Sequence, residues 1–315
     1  MKGHLTPPPP SAPSSASRPS AAGWLRAVAI ALAATAAGIL AASAYAAHRL
    51  ATPRRAPPTP APQGPYEAVT FNASDGVQLH GWFLPGNPEG LPLVISHGFH
   101  TSRREGLPVG IALRDRGHNV LLFDFRAHGE SDGQRTSCGP LETRDLEGAV
   151  GYLLRRPEVK GDRAGVIGYS MGAAIALMVA AGVPAIGAVV ADSSFASIRG
   201  ALPHYFRAAF PLPAFPFAHL ALWFGERLVG VKADAIRPVE AIGKIAPRPV
   251  LLIHGVEDRL VPLSEAFRLY EAAGEQTGLW TVAGAGHAAA RELDFQGYLD
   301  RVDHFFRRHL LDCGA

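Results

Sequence analysis

A chain of 315 residues with 48% apolar and 18% charged side chains is globular rather than intrinsically disordered, and is long enough for one catalytic-size domain with appendages. The net charge of +3 includes six basic and no acidic side chains in residues 1–65, so the remainder is slightly acidic and nucleic-acid binding by the domain is disfavoured. Two cysteines, Cys138 and Cys313, exclude a disulfide framework and predict two unpaired thiols, with a single bridge in an oxidising compartment as the alternative.

The N-terminal region predicts a disordered leader followed by a membrane anchor. Residues 1–22 are rich in Pro, Ser and Ala, a composition that buries too little apolar surface to fold. Residues 27–47 carry no charge, and at about 1.5 Å per residue such a helix crosses a hydrocarbon core of about 30 Å. We therefore predict a retained single-pass span within residues 23–48. The alternatives are a signal peptide cleaved near Ala46, where the sequence offers an A-x-A site, and a soluble helix.

The side of the membrane does not follow from charge, because three basic residues lie on each side of the apolar run. An uncleaved signal would leave the C-terminal domain outside the cytoplasm, and this is the expected location. Cleavage would instead give a secreted or periplasmic protein. Residues 49–65 hold six prolines and predict a stiff, extended linker that stands the domain off the membrane.

Residues 66–315 predict one α/β domain in which short apolar runs alternate with helical patterns. The runs that predict strands are 66–71, 77–84, 93–96, 119–125, 165–169, 186–192, 250–254 and 279–282, the first two joined by a hairpin at Asp75 and Gly76. Helices are predicted at 107–116, 142–156, 171–181, 263–273 and 293–311. Because most strand runs are continuously apolar, we expect an eight-stranded, mostly parallel sheet with an antiparallel start, flanked by helices on both faces.

One long insertion interrupts this alternation. Nearly sixty residues separate the runs at 186–192 and 250–254, and they are rich in aromatic side chains and proline. A structureless loop of that length is improbable inside a compact domain. We therefore predict a small helical cap at about 195–245, which either covers the site and favours an apolar acyl chain or simply packs on the sheet.

The most informative motif is Gly168-Tyr169-Ser170-Met171-Gly172, placed between a buried strand and a helix. A serine flanked by glycines at this junction is typical of a nucleophile held on a tight, strained turn. Alone the pattern is a modest signal, because a chain with 34 glycines contains such spacings by chance. Its position after the strand and before the helix makes Ser170 the candidate nucleophile.

A serine hydroxyl needs an imidazole to take its proton and a carboxylate to orient that imidazole. His287 follows the last predicted strand, and Asp258 follows the strand before it. Together they give the order Ser170, Asp258, His287 that is expected after such an elbow. Asp192 also ends a strand and is the alternative acid.

Two backbone amides are expected to stabilise the oxyanion that forms during acyl transfer. The first belongs to Met171, at the start of the helix after the nucleophile. The second is assigned to Phe99, in the loop after the third strand, where Gly98 allows close approach. His97 is expected to be a structural, hydrogen-bonded residue, because His287 already supplies the base.

Five blocks of the sequence resemble the α/β-hydrolase superfamily and occur in its order. They are VISHGFHTSR, LLFDFRAHGESDG, GVIGYSMGAA, LLIHGVEDRLVP and VAGAGHA. The resemblance covers residues 66–311 and implies an α/β-hydrolase fold and a serine hydrolase mechanism. Two further stretches, DGVQLHGWFLP and ADSSFASIRG, are similar to the Bem46-like and serine-aminopeptidase-like group, whose members often carry an N-terminal membrane segment.

The resemblance implies esterase, thioesterase or amidase chemistry on a small-molecule acyl substrate. Ser170 argues against the epoxide hydrolases and haloalkane dehalogenases of the same fold, which place an aspartate at the elbow. The single Phe99 after His97 and Gly98 departs from the longer glycine-rich loop of many lipases, which disfavours bulky or triacyl substrates. The family-typical residues of the loop after the fourth strand are expected to stabilise that loop; they are Arg126, His128 and Ser131.

Two hypotheses follow from these residues. The first is a membrane-tethered serine hydrolase that uses Ser170, His287 and Asp258 and the amides of Phe99 and Met171. The second is a catalytically silent α/β-hydrolase scaffold that acts as a membrane-anchored binding protein, which would be preferred had a triad position been lost. No metal or organic cofactor is implied, because no cluster of histidines and carboxylates has ligand spacing.

Overall fold

Eight strands form one sheet in the structure, a computed structural model that describes residues 21–55, 57 and 60–310. In chain order they are β1 (Glu67–Asn72), β2 (Gln78–Leu84), β3 (Pro92–Ser96), β4 (Asn119–Phe123), β5 (Ala164–Tyr169), β6 (Ile186–Asp192), β7 (Val250–Gly255) and β8 (Thr277–Val282). Across the sheet the order is β1-β2-β4-β3-β5-β6-β7-β8. β2 runs antiparallel to β1 and β4, and the other neighbouring pairs are parallel. The predicted α/β fold with an antiparallel start is confirmed.

The helices of the described part match the predicted ones, with one division. They are α1 (Ala21–Ala51), α2 (Leu107–Asp115), α3 (Pro140–Leu154), α4 (Met171–Ala180), α5 (Ile198–Ala209), α6 (Ala214–Val229), a 3₁₀ turn (Ala233–Ala235), α7 (Pro238–Ile242), α8 (Leu263–Ala272), α9 (Ala290–Leu293) and α10 (Phe295–Leu310). The closing helix, expected as one element, is divided at Asp294. The Asp294 carboxylate accepts from the Gly297 N–H at 2.9 Å and caps α10, which explains the break.

Helices cover both faces of the sheet and create two hydrophobic cores. α3, α4 and α8 contribute to the first core, and α2 and α10 contribute to the second. On β5, Val166 belongs to the first core and Ile167 to the second. Both faces of the central strands are therefore buried, as the continuous apolar runs predict.

The segment between β6 and β7 is helical, as predicted for the insertion. It contains α5, α6, the 3₁₀ turn and α7. Phe206 of α5 is fully buried and packs with Ala214, Ala218 and Ala221 of α6. α5 and α6 thus form a helical pair held together by one aromatic ring and small side chains.

The described part of the chain divides into two units between residues 41 and 42. Residues 1–20, most of the predicted leader, lie outside the described residues, and residues 21–41 are helical. α1 as a whole is long and apolar enough to cross a membrane. A signal sequence near the N-terminus would meet the same criterion. α5 and α6 would meet the same criterion only together, and they are bent by 116° against each other.

Described residues of the proline-rich linker make hydrogen bonds with the α/β domain. Arg55 donates hydrogen bonds to the carbonyl oxygens of Gly129 and Ser131 at 3.0 and 2.8 Å. Farther along, Arg114 donates to the carbonyl oxygen of Gln63 at 2.6 Å. The linker is therefore hydrogen-bonded to the domain at Arg55 and at Gln63, and the prediction that it stands the domain off a membrane stays a prediction.

Candidate active site

Ser170 lies on a strained turn between β5 and α4. Its φ and ψ are +52° and −111°, a left-handed conformation that side chains with a Cβ rarely adopt. A Cβ built on Gly168 would lie 2.5 Å from the backbone of Ala173, and one built on Gly172 would lie 2.4 Å from the Ser96 carbonyl oxygen. Neither glycine can therefore carry a side chain without moving backbone. The tightness of this turn explains why glycines stand two residues before and two residues after Ser170.

Side chains from two later loops meet Ser170. The Oγ of Ser170 lies 2.8 Å from Nε2 of His287, and Nδ1 of His287 lies 2.7 Å from Oδ2 of Asp258. The second carboxylate oxygen of Asp258 accepts from the N–H groups of Leu260 and Val261 at 2.9 and 2.8 Å. An ionised carboxylate accepts hydrogen bonds only, so Nδ1 of His287 carries the proton and Nε2 is free to accept the serine proton.

Asp192, the alternative acid, lies in a different environment. Its Oδ1 accepts from the Ser193 hydroxyl at 3.1 Å, and the side chain is fully buried. Burial raises the pKa of Asp192 to about 6. The structure thus places Asp258, and not Asp192, in hydrogen-bond contact with Nδ1 of His287.

The predicted oxyanion donors lie on two loops that pack against each other at Ser170. Met171 is the first residue of α4, where N–H groups have no partner within the helix. Phe99 follows Gly98, and a Cβ built on Gly98 would lie 3.4 Å from Cβ of Ser170. Among the described residues, neither amide has a hydrogen-bond acceptor in the protein. Both N–H groups can therefore donate hydrogen bonds to an oxyanion.

His97 and Glu105 fix the loop that carries Phe99. Nε2 of His97 accepts from the Phe125 N–H at 3.0 Å, so Nδ1 carries the proton and donates to the Gly98 carbonyl oxygen at 2.7 Å. Burial holds the pKa of His97 well below its ordinary value and keeps the ring neutral. The Gly98 N–H donates to Glu105 at 2.6 Å.

The hydrogen bonds of Gly98 with His97 and Glu105 set the direction of the Phe99 amide. The Gly98 carbonyl and the Phe99 N–H belong to one planar peptide and point in opposite directions. The expectation that His97 is hydrogen-bonded rather than catalytic agrees with these contacts. Glu105 was missed, because a single acidic residue ahead of α2 has no distinguishing pattern in the sequence.

Most of the chain, including Ser170, Asp258 and His287, matches a family of known proteins. A family model described as the alpha/beta hydrolase family matches residues 79–296. The chain belongs to the α/β hydrolase family. This α/β hydrolase is 32% identical to the uncharacterized protein YqkD of Bacillus subtilis over 240 residues, which cover 76% of the chain and 78% of YqkD. It is 28% identical to the uncharacterized protein YfhR of Escherichia coli over 253 residues, covering 78% of the chain and 79% of YfhR.

Among solved structures, this α/β hydrolase is similar to the Pyrococcus furiosus esterase Pf2001. The TM-score is 0.67 at 30% sequence identity, and the match covers 82% of the chain and 99% of Pf2001. Family membership and this esterase support hydrolase activity. The narrower resemblance to the Bem46-like group stays a prediction.

A cavity opens above Ser170 and His287. Its volume is about 140 Å³, and it is open to solvent on one side. Its lining is mostly aliphatic and comes from the start of α4, the helical insertion, several loops at the edge of the sheet and the last residues of α1. Among the described residues, no three His, Cys, Asp or Glu side chains come together in a way that could hold a metal ion.

The loop after β4 is held by its own polar residues, as the sequence predicts for this α/β hydrolase. The Arg126 guanidinium donates to the buried Asp145 carboxylate at 2.7 Å. Nδ1 of His128 lies 2.9 Å from the Arg126 carbonyl oxygen, and the Ser131 hydroxyl donates to the Asp124 carbonyl oxygen at 2.6 Å. These contacts are internal to the loop and its neighbours, so the three family-typical residues support structure here.

Proposed function

We propose that this α/β hydrolase is a membrane-tethered serine hydrolase that cleaves acyl esters or thioesters through a covalent acyl-enzyme intermediate. The observation that carries the proposal is the unbroken chain of hydrogen bonds from Ser170 through His287 to Asp258. Such a chain holds the base in the tautomer that accepts a proton from the nucleophile.

The proposed reaction has two half-reactions. Nε2 of His287 takes the Ser170 proton while Oγ attacks the substrate carbonyl carbon, and the amides of Phe99 and Met171 stabilise the resulting oxyanion. The oxyanion collapses, and the leaving alkoxide or thiolate takes the proton from His287. Water then attacks the acyl carbon, gives a proton to His287, and releases the carboxylic acid as Ser170 recovers its proton. Asp258 stabilises the imidazolium in both halves.

The lining of the cavity favours esters and thioesters over peptides. A peptide carries an N–H and a C=O at every residue, and each one costs free energy when it is buried without a partner. The helical insertion offers mainly aliphatic groups such as Ile198, Leu202, Leu222 and Val229 to this cavity. An acyl chain needs no hydrogen bonds and fits such a lining.

The proposed tethering rests on α1, whose length and composition suit a single membrane span. We place the catalytic unit outside the cytoplasm, because a span that acts as an uncleaved signal leaves the following domain there. Cleavage near Ala46 is the competing outcome. It would cut α1 within the stretch where Ser43 and Ala47 are buried.

A fluorophosphonate probe tests the proposal, since it reacts only with an activated serine. The wild-type protein should be labelled, Ser170→Ala should not, and Ser74→Ala, at an exposed turn, should be labelled like the wild type. Absence of labelling in a folded wild-type sample would refute the enzyme and favour the silent binding scaffold. Hydrolysis of p-nitrophenyl esters by the same three proteins gives an independent readout.

A further inference from the structure

The last turns of α1 are part of the hydrolase unit. In a helix that is otherwise largely exposed, Ser43, Ala46, Ala47 and Ala51 are 0%, 1%, 2% and 4% exposed. Their spacing of three to four residues places them on one face of the helix. Ala46 and Ala47 belong to the same apolar cluster as the insertion residues Phe206, Ala214, Ala218 and Ala221. Small side chains on both partners allow the helices to approach closely.

A short path of contacts joins this helix end to the elbow. The Thr136 N–H donates to the Ala51 carbonyl oxygen at 2.9 Å. The Thr136 hydroxyl oxygen lies 3.9 Å from Sδ of Met171, the residue that follows Ser170. One residue thus separates Ala51 from the start of α4.

The same helix end faces the cavity. Ala47, Leu50 and Ala51 line it together with Ser170 and His287. No substrate could fill this cavity without lying against α1, because these three side chains form part of its surface.

The cavity lining offers no unpaired charged side chain among the described residues. Glu226 is the one Asp, Glu, Lys or Arg side chain that lines the cavity among the described residues. Its carboxylate is already bound by the Ala233 N–H at 3.0 Å and by Arg199 and Lys232 at 3.3 and 3.4 Å. No charge is left over to pair with a charged group on a substrate.

We propose that the last turns of α1 form a wall of the substrate cavity, so that the segment predicted to anchor the protein also determines acyl-chain length. The inference rests on the proposed function and names its substrate class. These are esters whose aliphatic acyl chain carries no charged group and is long enough to reach α1. Ala47 is also the last residue of the charge-free run of residues 27–47. A chain bound in this way contacts the end of the apolar segment, as expected for a substrate that partitions into a membrane.

The test uses the full chain and p-nitrophenyl esters of increasing acyl length from acetate to hexadecanoate. Ala47→Leu adds three carbon atoms to the wall, and the ratio of kcat/KM for the dodecanoate ester to that for the acetate ester should fall on the order of tenfold. Leu50→Ala enlarges the cavity and should move the optimum to longer chains. Leu40→Ala is the matched control, because Leu40 lies on the same helix, is 47% exposed and does not line the cavity.

Opposite shifts for Ala47→Leu and Leu50→Ala, with no shift for Leu40→Ala, would support the inference. An unchanged chain-length profile in both cavity variants, with ester hydrolysis retained, would overturn it and leave the proposed function standing. A wild-type protein that neither hydrolyses esters nor reacts with a fluorophosphonate would overturn both. Because Ala47 is tightly packed, a misfolded Ala47→Leu leaves Leu50→Ala as the deciding variant.

Discussion

Replacing Asp258 by Asn gives the sharpest test of the active site, because the structure dictates how the new side chain must lie. Oδ1 of Asp258 accepts two backbone N–H groups, from Leu260 and Val261. An amide nitrogen cannot accept them. The Asn oxygen must therefore stay on that side, and its NH₂ group must face Nδ1 of His287.

This orientation gives His287 the wrong tautomer. Facing an N–H donor, Nδ1 can only accept, so the ring proton moves to Nε2, the atom that lies 2.8 Å from Ser170 Oγ. The imidazole then cannot take the serine proton. In serine triads such a change lowers kcat by about 10⁴, equivalent to roughly 5.5 kcal/mol in the activation barrier.

The measurement is kcat for a p-nitrophenyl ester, together with the rate of fluorophosphonate labelling. Asp192→Asn is the matched control, since Asp192 is another buried aspartate at the end of a neighbouring strand. We expect it to change kcat by less than about tenfold. Loss of less than tenfold in Asp258→Asn, or a comparable loss in Asp192→Asn, would refute the assignment of the acid.

Three further predictions concern stability and location. Gly172→Ala places a Cβ 2.4 Å from the Ser96 carbonyl oxygen and should lower the free energy of unfolding, measured by chemical denaturation, by about 1–3 kcal/mol. The control is Gly182→Ala, whose Cβ meets no atom within 4 Å and should change this free energy little. Burial raises the pKa of Asp192 from 3.8 to about 6, so the folded state binds this proton more tightly than the unfolded state does. The free energy of unfolding should therefore fall as pH rises from about 4 to 6, by on the order of 3 kcal/mol relative to Asp192→Asn. Parallel curves of unfolding free energy against pH for the two proteins would contradict this. The full chain should stay in the membrane pellet after washing in alkaline carbonate, and its release would contradict a retained span.

Most of the fold could be predicted because its central strands are buried on both faces. Continuous apolar runs such as Val250–Gly255 mark such strands. The order of strands across the sheet, with β4 between β2 and β3, does not follow from those runs, because parallel strands joined by helices can be placed in several orders. The break at Asp294 was missed for a similar reason, since the residues on both sides continue one helical pattern.

Within the candidate site, the sequence predicts the nucleophile and base more firmly than the acid. Asp192 ends one strand and Asp258 follows the next, at the same edge of the sheet, and only the 2.7 Å contact of Asp258 with Nδ1 of His287 distinguishes them. The contribution of Ala47 and Ala51 to the cavity was missed because their buried face is hidden in a run of alanines. An apolar helix gives the same pattern whether it faces lipid or protein.

The backbone at Ser170 has a consequence for engineering this protein. Its left-handed conformation stores on the order of 1–3 kcal/mol of strain, which the surrounding structure must offset. Glycine adopts the same conformation with little penalty. Selection for heat resistance alone would therefore favour variants that lose the proposed nucleophile. A library of this hydrolase needs a second selection for turnover in every round.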